Sequence, residues 1–71
     1  MLDERKRETI IALAECNMNV SQAAEKTNYH RNTFLYQIEQ IEKKTGLDPT
    51  NFYDLIKLLE IATAKEEHHE D

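Results

Sequence analysis

Asn32, Thr33, Tyr36, Gln40 and Lys43 recur at a spacing that brings them to one side of a helix, with Gln37 between that side and the apolar one. Their working groups are amides, hydroxyls, a phenol and an ammonium rather than carboxylates. An Asn or Gln side chain matches the donor–acceptor pair on an adenine edge, and an Arg, here Arg31, matches guanine. Hydroxyls and cations suit phosphate oxygens, as do the free amides of a helix N-terminus. An ordinary solvated helix face has the same makeup, and composition leaves both readings open.

Other chemistries find less support. The chain has no glycine-rich phosphate loop, no paired-cysteine motif and no nucleophile–base spacing. The place of His30 at the mouth of the helix favours capping or phosphate contact over a role as a base. Cys16 is the only cysteine, so no internal disulfide can form, which suits a reducing cytoplasm. Near the end of an apolar stretch it reads as a small buried hydrophobe. His68 and His69 are adjacent and flanked by acids, but no other His or Cys is spaced to complete a metal site. No enzyme, metal or cofactor is expected.

The elements that must position the polar face come next. Asn19 is a good N-cap, and Gln22 three residues later can complete a capping box, so a short helix is expected over about 21–26. Ala23 and Ala24 are small residues where two helices can cross closely. Thr27-Asn28-Tyr29-His30 breaks the periodicity, and Asn28 tolerates a left-handed backbone. A longer helix follows over about 31–45, with Phe34, Ile38 and Ile41 on its core face, Leu35 flanking, Lys43 and Lys44 in its last turn, and Gly46 closing it. A short helix, a tight turn and a longer amphipathic helix form a helix-turn-helix signature. Upstream, Asp3 caps a first helix that ends near Cys16 or Asn17, with Ile10, Leu13 and Ala14 as its apolar stripe. Arg5, Lys6 and Arg7 read as a solvated face, with phosphate contact as the alternative. Downstream, either Asp48 followed by Pro49, or Asn51, caps a last helix over about 52–64. Its inner stripe is expected to be Phe52, Leu55, Ile56, Leu59 and Ala62. Leu58 and Ile61 then lie outside that stripe and form a candidate homodimer contact. Residues 65–71 have nothing to bury and are expected to fray.

His30-Arg31-Asn32-Thr33-Phe34-Leu35-Tyr36, then Ile41-Glu42, then Thr45-Gly46-Leu47-Asp48, resemble the C-terminal DNA-binding domain of PucR/CdaR-type bacterial regulators, and more distantly the Fis-type helix-turn-helix. The family pattern runs roughly N-x-S-x-A-A, H-R-N-T-L-x-Y-R-L and I-E-x-x-T-G-L-D, and the likeness spans about residues 2–62. It implies sequence-specific binding of double-stranded DNA as the output module of a transcription regulator, with a recognition helix over about 31–45. Arg31, Asn32 and Tyr36 would then meet base edges. Ser21, Gln22, His30 and Thr33 would serve mainly phosphates, and Gln37 and Gln40 would be secondary contacts. Relatives carry this domain at the C-terminus of a longer, sensor-containing chain. The chain departs from the pattern at Tyr36-Gln37-Ile38, where Gln replaces Arg, at Glu39-Gln40, where relatives are often basic, and at Thr27, where they carry Leu. Fewer cations mean fewer counterions released on binding and a weaker dependence on salt.

Seventy-one residues allow one small domain, here 1–64 with a polar tail over 65–71. A hydrophobic content of 39% against 32% charged residues fits a folded domain rather than a disordered one. No apolar run is long enough to span a membrane. The formal net charge of −5 sits poorly with a nucleic-acid partner, but it is unevenly spread. Over 19–46, Lys26, Arg31, Lys43 and Lys44 outnumber Glu25, Glu39 and Glu42, whereas over 47–71 Lys57 and Lys65 face seven acids. The expectation is an all-α, small four-helix domain containing a helix-turn-helix, cytoplasmic and nucleoid-associated. The rival is a helical protein–protein interaction module that kept this fold and lost DNA binding.

Overall fold

A computed structural model of the chain describes residues 2–64. Within them lie four helices: α1 (Glu4–Glu15), α2 (Val20–Thr27), α3 (Arg31–Thr45) and α4 (Phe52–Thr63). The expected polar tail over 65–71 falls outside the described residues.

Each helix begins where a side chain takes an amide that the first turn leaves free. The Asp3 carboxylate accepts from the Lys6 amide at 2.9 Å, Asn19 Oδ1 from the Gln22 amide at 3.0 Å, and Asn51 Oδ1 from the Asp54 amide at 3.1 Å. For α3 the cap is His30, whose Nδ1 accepts from the Asn32 amide at 3.1 Å. Of the two candidates before α4, Asn51 is the cap. Asp48 instead braces the preceding turn, accepting from the Thr50 amide at 2.9 Å and the Thr50 hydroxyl at 2.7 Å. The ends of α2 and α4 fall within one residue of those expected.

The core is built around α1, which packs against each of the other three helices; α2 also packs on α3, whereas α4 packs on α1 alone. Ile10 and Leu13 of α1 meet Ala23 of α2, Phe34 and Ile41 of α3, and Leu58 of α4 in one cluster with no solvent exposure. Thr9 is also buried, and its hydroxyl donates to the Arg5 carbonyl at 2.8 Å, so no polar atom is stranded there. Ala14 lies at the edge of the cluster, and Ala12 takes a fully packed place instead.

The expected inner stripe of α4 holds at Leu55, Leu59 and Ala62 but not at Phe52 and Ile56, because the helix is turned by roughly 60° from the expected orientation. Its buried stripe is Leu55, Leu58 and Ala62, with Leu59 half-buried, while Phe52 and Ile56 face solvent. Leu58, expected at a dimer contact, is fully buried and unavailable for one; Ile61 is exposed as expected. The basic run also differs from expectation. Lys6 Nζ bonds the Asp3 carboxylate at 3.2 Å, and the Lys6 amide and ammonium together hold the Asp3 carboxyl below its usual range. Arg7 Nε donates to the Ala62 carbonyl at 3.0 Å, satisfying an acceptor left free at the end of α4. The Arg5 guanidinium lies 5.8 Å from the centroid of the Tyr29 ring. All three cations therefore have partners within the chain.

Gly46 (φ 75°) and Asn28 (φ 64°) adopt the left-handed backbone expected of them. Asn17 (φ 56°) and Met18 (φ 65°) do so consecutively, without a glycine between α1 and α2. The Met18 amide donates to the Leu13 carbonyl at 2.6 Å, and Met18 packs against the core, which holds the turn in place.

Candidate nucleic-acid interface

The turn between α2 and α3 decides where the polar face stands. The left-handed Asn28 ends α2, its amide donating to Glu25 O at 3.1 Å, and the Tyr29 amide donates to Ala24 O at 3.1 Å. Thr27, at the position where the resembling relatives carry Leu, is half-buried and donates its hydroxyl to Ala24 O at 2.9 Å, so its polarity is satisfied locally. Tyr29 is half-buried against the core and its hydroxyl donates to Glu8 Oε1 at 2.5 Å. That bond, with burial and the carboxylate's charge, pushes the phenol above its ordinary range. The turn is thus anchored to α1 by an aromatic residue to which sequence reading gave no role. The contact joins residues 21 apart, and no local pattern announces it.

From this turn α3 starts at His30. Because Nδ1 accepts the Asn32 amide, the neutral ring carries its proton on Nε2. Arg31 reaches back to α2, with Nη1 donating to Ser21 Oγ at 2.7 Å. The first turns of α2 and α3 are therefore tied together by side chains, and Ser21, Gln22, His30, Arg31 and Asn32 are all exposed there. A shallow concavity lined by Ser21, Gln22, Glu25, Tyr29 and Arg31 runs between them. Farther along α3, Tyr36 is exposed, and Thr33 and Gln40 are half-buried.

Gln37 does not join this face. It is 5% exposed, and its Oε1 has no hydrogen-bond partner. The reason is spacing: position 37 lies three residues after Phe34 and four before Ile41, both fully buried, so its side chain falls on the core side of the helix. A base contact from Gln37 is inconsistent with this placement. The i+3 and i+4 relation to the apolar stripe was visible in the sequence, but the polar side chain disguised it.

Charge around the site is sparse. Lys26 is paired with Glu15 at 3.5 Å, which leaves Arg31 as the cation at the joined helix starts, with Lys43 and Lys44 at the far end of α3. Among the described residues no cluster of His, Cys, Asp or Glu is grouped to hold a metal ion, and no helix is long and apolar enough to cross a membrane.

Comparison with curated proteins and with solved structures returned no match. The family model of the PucR C-terminal helix-turn-helix domain matches residues 7–64, which takes in most of α1 and all of α2, α3 and α4. Over that span the matched segment is the all-helical architecture just described, with α2, the Asn28–His30 turn and α3 at its centre. The chain belongs to the family of PucR C-terminal helix-turn-helix domains.

Proposed function

We propose that this domain binds double-stranded DNA in a sequence-specific manner, as the output module of a cytoplasmic, nucleoid-associated transcription regulator whose longer chain carries the sensor. The observation that carries the reading is the Arg31–Ser21 hydrogen bond at 2.7 Å beside the His30 cap. It links the exposed starts of α2 and α3, whose relative setting is held by the buried packing beneath them, and a recognition helix must hold such a setting to enter the major groove in one register. Arg31, Asn32 and Tyr36 meet base edges, Ser21, Gln22, His30 and Thr33 serve phosphates, and Gln40 is secondary. Catalysis and cofactors have no part in this reading.

The second reading is an interaction module that retains the fold without DNA. The net charge of −5 and the neutralisation of Lys26 by Glu15 favour it. A fluorescence-anisotropy titration with duplex DNA at two salt concentrations separates the two. DNA binding with a shallow salt slope, about one to two released ions for so few cations, supports the first. Absence of binding at low salt, even for a tethered pair of domains, supports the second.

A further inference from the structure

We propose that the outward face of α4 pairs with the same face of a second copy of this chain, the two helices running antiparallel. Two apolar rows run along α4, each at alternating spacings of three and four residues. Leu55, Leu58 and Ala62 form the row that is buried against the rest of the domain. Phe52, Ile56 and Leu59, continued by Thr63, form a second row one position further round, at the spacing by which two helices interlock. In the monomer this second row is covered only in part: Leu59 packs against the core from the α1 side, whereas Phe52 and Ile56 have neither α2 nor α3 against them. Phe52 is 56% exposed and Ile56 43%, and Tyr53 beside them is 73% exposed, with its ring edge-on to Phe52 at 5.5 Å. Ala14 and Met18 of the α1 end line the same apolar groove.

The flanking positions select the occupant and its direction. Tyr53 and Glu60 stand seven residues apart on the same flank of the outer row. When two such helices lie antiparallel about Ile56, the Phe52–Tyr53 end of one meets the Leu59–Glu60 end of the other. Each Tyr53 hydroxyl then faces a Glu60 carboxylate of the second copy, and the two polar groups bordering the row satisfy each other twice over. Such self-complementarity is the mark of a two-fold contact between identical surfaces. Parallel pairing sets Glu60 against an apolar flank and leaves the hydroxyl unmatched.

The size of the patch sets the strength. With roughly 200 Å² for a fully exposed aromatic side chain, Phe52 and Tyr53 present about 250 Å² between them. Including Ile56 and the groove margin, a symmetric pair covers on the order of 600–800 Å², below the roughly 1,200 Å² of a stable interface. The dimer is therefore a weak, exchanging one. Because α4 does not pack on α2 or α3, this contact leaves the α2–α3 face free, and it holds whether or not that face binds DNA.

The test is an amide-shift dilution series by NMR, from millimolar downwards, on the 71-residue chain. The expected result is that amides of α4 and the Ala14–Met18 segment move with concentration, while those at the start of α3 stay still. Ile56→Lys abolishes the movement. Tyr53→Glu, a change at a largely exposed site that the fold tolerates, weakens the dimer about tenfold by setting like charges together, whereas Tyr53→Lys, facing Glu60, keeps or tightens it. Shifts that are independent of concentration, shifts confined to another face, or equal effects of Tyr53→Glu and Tyr53→Lys overturn the proposal.

Discussion

Replacing Gln37 by Met should make the domain more stable while leaving the proposed DNA binding intact. Gln37 is 5% exposed and its Oε1 has no partner, so folding strips a carbonyl oxygen of water without compensation. A buried acceptor left unsatisfied costs about 1–3 kcal/mol. Met has nearly the same length and volume, is unbranched, and carries no strong acceptor, so it fills the site without a new cavity. The net gain should be about 1–2 kcal/mol, and for a domain of this size each kcal/mol raises Tm by roughly 4–8 °C. Thermal melts followed by circular dichroism, wild type beside Gln37→Met, give the answer directly. A fall in Tm would show that the amide is solvated or bonded where it lies and would refute the burial account. Unchanged stability with loss of specific DNA binding would return Gln37 to the reading face.

Phe34→Ala removes the largest fully buried side chain and should cost about 3–5 kcal/mol, enough to unfold so small a domain; a melt within a degree or two of wild type would be incompatible with the core described. Arg31→Ala should weaken a specific DNA site by about 1–3 kcal/mol if it reads a base, or weaken all sequences alike and lower the salt slope by about one if it holds a phosphate, with Tm little changed in either case. Asn17→Gly relieves a left-handed backbone at φ 56° and should raise stability by about 0.5–1 kcal/mol in denaturant melts. Tyr29 has its phenol pushed above the ordinary 10.0, chiefly by donating to Glu8. The stability it contributes is therefore complete below pH 10 and is lost as pH rises through the higher folded value, so wild type and Tyr29→Phe should converge in alkaline melts.

What the sequence made legible was local. The caps at Asp3 and Asn19, the left-handed Asn28 and Gly46, and the apolar stripe of α3 all depend on residues within one turn of each other, and each stands as expected. The orientation of α4 was not legible, because the helix carries two rows of equal spacing and only packing against α1 decides which is buried. Arg7 and Ala62 are 55 residues apart, so a cation that reads as solvated is in fact a helix-end partner. Gln37 was misjudged for the opposite reason: its spacing pointed inward and its chemistry outward. At the candidate interface the exposed positions of Ser21, Gln22, His30, Arg31, Asn32 and Tyr36 followed from helix phase, but the Arg31–Ser21 bond joins residues ten apart and required the fold.

The central place of α1 also sets an order of assembly. Contacts of α1 with α2, and of α2 with α3, join neighbours in the chain, whereas the link from Arg7 to Ala62 closes a loop across nearly the whole domain. Closing a longer loop costs more chain entropy before any contact repays it. The first three helices should therefore come together before α4 docks, and mutations in Leu55 or Leu58 should speed unfolding more than they slow folding. A chain emerging N-terminus first thus completes its helix-turn-helix while α4 is still free, and the turn at Asn28–His30 takes shape without waiting for the last helix.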